Sequence, residues 1–337
     1  MAENLPYHLE NIPIDLIDPQ DCLFSISLPW LPLDRLTQSI HQNGLLSPLH
    51  LQKKTNTQFR IIMGFRRYQV IKNLGIKIAP CLIRQEQKPL ALFTQALEDN
   101  LTKRSLHLME KARTILKLHC DFEVSHQTLL DEYLPLLDIR PDQFHLRQQL
   151  DLASLPLYLQ QAIGNLLEPE MALKISRWKT EEQKFYVHLI SKFQLGTNKQ
   201  TKLFILLDEI RATKLQNSAN SPENLRSVSV QTIWQQSGAA EKEKEAHLPP
   251  QKRFEQAIKK LRQLRFPHLS QHERQYSKLK ASLKLPPQIQ LNLPPNFEGN
   301  QIKISLSAKN WEELLVLTEK LNDITQTSEL KKIFNLL

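Results

Sequence analysis

Glycine is scarce, with seven in 337 residues, and none falls in a GxGxxG or GxxxxGK[ST] pattern. Rossmann dinucleotide binding and P-loop phosphoryl transfer therefore lack their sequence basis. Cysteine is scarcer still. Cys22, Cys81 and Cys120 are odd in number, lie far apart and form no CxxC pair. They give neither a disulfide framework nor a metal knot, and a reducing cytoplasm is the expected setting. Eleven histidines show no HExxH or paired spacing, so metal catalysis is not expected. No run of about 18 apolar residues occurs, so no transmembrane helix is expected. The opening MAENLPYHLE has no basic stretch leading into an apolar run, so no secretory signal is read there.

What is present is length and positive charge. A chain of 337 residues is long enough for two or three domains and for a core that needs no staple. Hydrophobic residues make up 41% and charged residues 23%, as in ordinary globular proteins. Lys and Arg outnumber Asp and Glu by 44 to 35, a formal charge of +9. The excess is concentrated. Between Gln251 and Lys284 ten Lys and Arg stand against Glu255 and Glu273, a local net charge of +8. Such a segment suits a polyanion, nucleic acid ahead of a membrane surface, or is a solvated helix face.

Periodicity divides the chain. Asn11–Ile17 reads as extended, and Leu33–Gln42 as a helix stopped by Asn43-Gly44. Pro48–Gln52 and Phe59–Met63 read as strands across a polar turn, followed by a helix over Arg66–Leu74, a strand over Pro80–Ile83 and a helix over Leu90–Leu97. This mixture predicts a small α+β domain over residues 1–105. Beyond Asn100 the strand signals vanish. Helices are predicted over Leu106–Asp121, Gln127–Leu137, Gln143–Leu152, Pro156–Leu166, Pro169–Arg177, Glu181–Phe193 and Lys199–Leu215, an all-helical domain spanning 106–215. Residues 216–250 are polar and read as a flexible linker. Residues 251–337 hold the basic segment, strands at Gln288–Leu293 and Gln301–Leu306, and a helix over Trp311–Asn322. So small a terminal module is marginal alone and is expected to associate with another copy or domain.

Two local features carry chemistry. At Gly64-Phe65-Arg66-Arg67-Tyr68 a strand ends, a glycine turns, and a helix opens on two arginines. Backbone N–H groups at a helix start and two guanidinium groups together suit phosphate oxygens, although the macrodipole disfavours cations there. The alternative is an exposed turn with two solvated arginines. At Glu98-Asp99-Asn100, carboxylate and amide oxygens could serve Mg²⁺ beside a triphosphate, or form an ordinary polar helix end.

In order along the chain come Gly44-Leu45-Leu46-Ser47-Pro48-Leu49, Gly64–Tyr68, Asp99-Asn100-Leu101, Leu106 and Glu110-Lys111-Ala112. This series resembles the N-terminal domain of the ParB family of chromosome and plasmid partition proteins, which carries GLLQPI, GERRxRA and ENxxRxxLxxxEEA at similar separations. Residues 152–210 resemble the helices after the helix-turn-helix of the family's DNA-binding domain. The resemblance covers about two thirds of the chain. It implies a protein that binds CTP with Mg²⁺, reads double-stranded DNA through a helix-turn-helix, and closes as a homodimer into a clamp. It further implies nucleoid association in the cytoplasm and a ParA-type ATPase as partner. By position, Gly64, Phe65, Arg66, Arg67 and Ser47 would hold nucleotide, with Asp99 and Asn100 at the metal as well.

The sequence departs from the family at three points. Phe65 stands where the family has the acid associated with hydrolysis, and phenylalanine can neither orient water nor accept a proton. Lys103 replaces a motif arginine, keeping the charge and losing the planar fork. PQDCLFSISLPW stands where a Pro-x-Pro-Arg-like element belongs. In the helix-turn-helix, Arg140-Pro141-Asp142 occupies the turn where the family has glycine, although Asp142 is a good N-cap. Gln143, His145, Arg147 and Gln148 become the groove-facing candidates on the following helix, with Leu146 and Leu150 in the core. A sulfiredoxin-type reaction is excluded, because the Gly64–Tyr68 turn holds no cysteine. Three readings stay open: a CTP-binding partition protein with at most weak CTPase activity, a ParB-like nuclease or slow nucleotidase using Asp99 and Asn100, and a DNA-associated regulator without nucleotide.

Overall fold

The computed structural model describes residues 7–336 except 56, 86, 219–228, 246, 295, 296, 298 and 300. It divides into two compact units, residues 1–177 and 178–337, each treated by itself. The mixed α+β class matches the sequence reading.

The first unit opens with β1 (Tyr7–Pro13), a 3-10 turn (Ile14–Leu16), α1 (Asp34–Asn43), β2 (Leu49–Lys53), β3 (Phe59–Met63), α2 (Phe65–Asn73), β4 (Ile78–Arg84) and α3 (Pro89–Lys103). The strands form one sheet in the order β1-β4-β2-β3. β4 runs antiparallel to β1 and parallel to β2, while β2 and β3 make an antiparallel hairpin with a register shift at His50/Leu51. Gly44 ends α1 in the left-handed region at φ 71°, as the Asn-Gly stop requires.

Successive side chains on a strand face opposite ways, so β3 supplies two cores. Ile61 joins Leu49, Leu51, Ile71, Cys81 and Ile40. Ile62 joins Leu92, Phe93, Leu97, Ile115, Leu118, Leu129 and Leu146. The second core crosses residue 105, where the sequence reading placed a domain boundary. The apolar face of α3 and the far face of β3 need cover, and the helices after residue 105 provide it.

Those helices are α4 (Leu108–Cys120), α5 (His126–Thr128), a π turn (Leu129–Tyr133), α6 (Leu134–Leu136), α7 (Gln143–Ala153), α8 (Leu157–Ala162) and α9 (Pro169–Ile175). Pro135 has no N–H to return to an i−4 carbonyl, and the wide turn lies just before it. The helix expected over Gln127–Leu137 is thus interrupted while its buried face persists. The helix expected over Pro156–Leu166 stops early, and Gly164 turns at φ 89° just beyond it.

The second unit contains α10 (Thr180–Phe193), α11 (Thr197–Ser218), α12 (Val230–Gln236), α13 (Ala239–Lys244), α14 (Pro250–Arg265), α15 (Pro267–Ser282), β5 (Ile289–Asn292), β6 (Lys303–Leu306), α16 (Trp311–Thr325) and α17 (Ser328–Phe334). One expectation needs correcting. Residues 229–245 lie within the stretch read as a flexible linker, yet they form α12 and α13 with Val230, Ile233, Trp234 and Ala239 buried. Val230, Ile233 and Trp234 are an i, i+3, i+4 trio, and the Ser229 side chain caps α12 by accepting from Thr232 N. The polar composition around them hid a short amphipathic helix. Part of that stretch, 219–228, lies outside the described residues. The terminal module pairs β5 and β6 antiparallel and packs Leu283, Leu291, Ile324, Leu330 and Ile333 together. Its last helix, α17, was not anticipated.

Candidate functional site

Gly64 joins β3 to α2 at φ 106°, a conformation that side chains disfavour. A Cβ here would stand 2.8 Å from Leu49 Cδ2 and 3.2 Å from Arg67 Nη2, so both backbone angle and space call for glycine. The turn sets α2 so that its first three side chains take separate tasks. The half-buried Phe65 ring packs against both cores of the unit. Arg66 Nη2 donates to Pro32 O at 2.8 Å, while its buried Nε has no partner. Arg67 Nη1 donates to Ser47 O at 2.6 Å and Pro48 O at 2.7 Å, binding the loop before β2 to the helix start. Burial lowers the Arg67 pKa, and the Asp99 carboxylate opposes that shift.

A cavity of about 680 Å³ opens on this side of the unit. Phe65, Arg66, Gln69 and Lys72 of α2 face it, with Arg113, Thr114 and Lys117 of α4 and the segment Cys22–Pro29. Four of its lining side chains are cationic, and Asp121 is the one acid among them. Lys117 Nζ donates to Cys22 O at 2.6 Å and Ser25 O at 3.0 Å, and burial lowers its pKa. Arg113 stacks over Trp30 at 5.7 Å. Arg66 and Thr114 each also carry a buried polar atom without a protein partner, Nε and the hydroxyl, though neither atom is itself open to the cavity. A cavity lined by four cationic side chains is suited to an oxygen-rich anion.

Among the seven residues expected at a nucleotide, Phe65 and Arg66 line this cavity. Arg67, the Ser47 carbonyl and Asp99 form a separate charged group with His50 and Arg84. Arg84 Nη2 lies 3.3 Å from His50 Nδ1. Burial first, then Arg84 and Arg67, depress the His50 pKa to about 4, with Asp99 opposing. Asp99 pairs with Lys103 at 2.7 Å, and Asn100 Nδ2 turns back to Ala96 O at 2.8 Å, which leaves its Oδ1 free of that bond. One carboxylate and one amide oxygen fit Mg²⁺ only if phosphates complete the shell. Among the described residues, no cluster of three His, Cys, Asp or Glu could hold a metal alone.

The third motif proves to have a structural half. Arg104 reaches Glu110 with two bonds, at 2.6 and 2.8 Å, and Glu110 also accepts from His107 N, capping α4. Glu110 is fully buried. The adjacency of Lys103 and Arg104 concealed which of the two makes this pair.

On α7, Asp142 accepts from His145 N at 2.8 Å and from the His145 ring at 2.7 Å, confirming it as the N-cap. Gln143 and Arg147 are exposed, His145 and Gln148 half-exposed, and Leu146 is buried while Leu150 packs against the same core. Phe144, absent from the sequence candidates, is 70% exposed. Its signal was an apolar side chain outside the helix's buried stripe. In the second unit, Lys259 and Arg274 line a groove between α14 and α15, whereas Arg265 is tied to Glu209 at 3.2 Å.

Residues 6–101 match the ParB N-terminal domain family. A probable chromosome-partitioning protein ParB of Vibrio cholerae is 31% identical over 99 residues, 29% of this chain and 33% of that protein. The chain spans about a third to a half of the length of the curated relatives it matches. Two solved structures of C-terminally truncated ParB from Caulobacter crescentus are also similar. One, complexed with CTP-gamma-S, has a TM-score of 0.26 and 18% identity over 54% of this chain and 92% of that one. The other, complexed to the centromeric parS site, has a TM-score of 0.32 and 17% identity over 57% and 96%. No helix among the described residues is long and apolar enough to cross a membrane. Residues 6–101 thus carry a ParB N-terminal domain match, and over that part of its length the chain is similar to chromosome-partitioning ParB proteins.

Proposed function

We propose that this protein binds double-stranded DNA in chromosome or plasmid partition, reading sequence with α7 and holding CTP with Mg²⁺ in its first unit. The observation that carries the nucleotide reading is the basic cavity beside the start of α2, lined by Arg66, Lys72, Arg113 and Lys117. Arg66, Lys72 and Lys117 would neutralise phosphate charge, and the α2 N-terminus would add backbone donors. By the family resemblance Asp99 and Asn100 would supply oxygen ligands to Mg²⁺; neither lines the cavity, so a bound triphosphate would have to reach beyond that lining to meet the metal. Phe65 offers no base to a water, so hydrolysis would be weak or absent. Self-association would use the α16 face carrying Trp311, Leu315 and Val316, which are 69%, 47% and 61% exposed. A ParA-type ATPase would be the partition partner.

Calorimetry with CTP and Mg²⁺ on wild type and Arg66→Ala, set against ATP and GTP, tests the nucleotide reading. CTP-selective binding that weakens at least tenfold in Arg66→Ala supports it. Absence of binding to any nucleotide, with and without DNA, overturns it. Arg66→Ala frees one backbone carbonyl, Pro32 O, where Arg67→Ala would free two, Ser47 O and Pro48 O.

A further inference from the structure

We infer that Phe144 is a base-reading residue that contacts the C5-methyl group of thymine in the major groove. The inference rests on the proposed reading of α7 as a recognition helix. Phe144 sits on the first turn of that helix, directly after Gln143 and one turn before Gln148. Its ring is 70% exposed, while Leu146 and Leu152 on the same helix are buried. The same unit also exposes Leu9, Leu46, Ile78 and Leu157, so exposure alone assigns nothing; the place of Phe144 on the first turn of α7, among Gln143, Arg147 and Arg140, is what distinguishes it.

The neighbours specify what that contact is. Gln143 and Arg147 are exposed at i and i+4 on one face, beside a ring that carries no charge. Arg140 flanks them from the turn, its side chain 78% exposed although paired with Asp142 at 3.1 Å. A protein-binding patch would add further apolar residues around the phenylalanine. Here the surroundings are hydrogen-bonding and cationic, the mixture that a base-pair edge and its phosphates require. Glutamine matches adenine N6 and N7, arginine matches guanine O6 and N7, and an apolar side chain matches the thymine methyl. A T·A pair beside the Gln143 contact would place methyl and amide-binding edges side by side.

The ring is also held in place. His145 meets it edge to face, with centroids 5.3 Å apart and planes at 87°. His145 is itself fixed by the Asp142 carboxylate at 2.7 Å. A chain of N-cap, imidazole and phenyl ring limits rotation at the surface, which lowers the ordering cost on binding.

The test begins with selection from a random-sequence duplex pool by the full-length protein and by Phe144→Ser. Phe144 buries little of the fold, so Phe144→Ser should melt with wild type. Each thymine of the wild-type motif is then replaced by deoxyuridine, which removes only the methyl group. Wild type should weaken about three- to fivefold at one thymine, as expected for the loss of one buried methyl group. Phe144→Ser should bind thymine and uracil versions alike, and its selected motif should lose that thymine. If wild type selects a motif that Phe144→Ser reproduces with equal affinity and equal uracil response, this inference is overturned while the DNA reading stands. If neither protein enriches any motif, the DNA reading of α7 fails with it.

Discussion

Replacing Glu110 by alanine tests the packing beneath the third motif. Glu110 is fully buried, and its carboxylate accepts two bonds from Arg104 and one from His107 N. Arg104 keeps 26% of its side chain exposed, so losing the acid strands a largely desolvated guanidinium. Removing one member of such a pair costs about 3–5 kcal/mol, because the remaining charge stays buried without compensation. About 1 kcal/mol of that is the lost cap on α4. For a unit of 177 residues, each kcal/mol moves Tm by roughly 2–4 °C, so a fall on the order of 10 °C is expected in scanning calorimetry. The double variant Arg104→Met/Glu110→Leu removes both charges and should recover most of that loss. A fall below about 3 °C in the single variant, or a double variant no better than the single, would refute the assignment.

Three further outcomes are expected. Gly64→Ala should destabilise by about 2–5 kcal/mol in denaturant titration, since it combines a φ of 106° with a Cβ placed 2.8 Å from Leu49; a loss under 1 kcal/mol would contradict the turn geometry. His50 is held at about 4 against an ordinary 6.5, so the unfolded chain takes up its proton first. Stability from this group is complete above pH 6.5 and falls as pH drops toward 4, by about 1–2 kcal/mol once solvent screening of this partly exposed ring is included, and His50→Gln should flatten that window; an unchanged pH profile would remove His50 from the account. Cys81 is buried, donates to Ala79 O at 3.3 Å, and burial pushes its thiol up to about 11. A disulfide reagent at pH 8 should titrate the exposed Cys22 and Cys120 in the native protein and reach Cys81 only on unfolding; rapid reaction of all three would show the sheet core to be open.

The parts of the fold that sequence made legible are those governed by local rules. Asn43-Gly44 stops α1 and Asp142 caps α7, as backbone chemistry requires. What stayed hidden depends on distant partners. Nothing local distinguishes Ile61 from Ile62, yet each enters a different core. Val230, Ile233 and Trp234 form a helix because their packing outweighs a polar neighbourhood. The two arginines of α2 were legible as a pair, but not their separate duties. One reaches the Ser47–Pro48 carbonyls, and the other holds Pro32 at the rim of a cavity whose opposite wall is α4. Lys117 and Thr114 carried no motif at all.

The bond from Arg66 to Pro32 O places two demands on one guanidinium. That contact spans 34 residues of sequence and secures the chain just ahead of α1. Nη2 carries two N–H groups and the Pro32 carbonyl takes one, so an anion at the cavity and the anchored segment can share the same guanidinium. Loss of Arg66 would then loosen the chain ahead of α1 as well as weaken an anion at the cavity. Holding that segment also holds the guanidinium in place, so by linkage an ordered segment and a bound anion would strengthen each other equally.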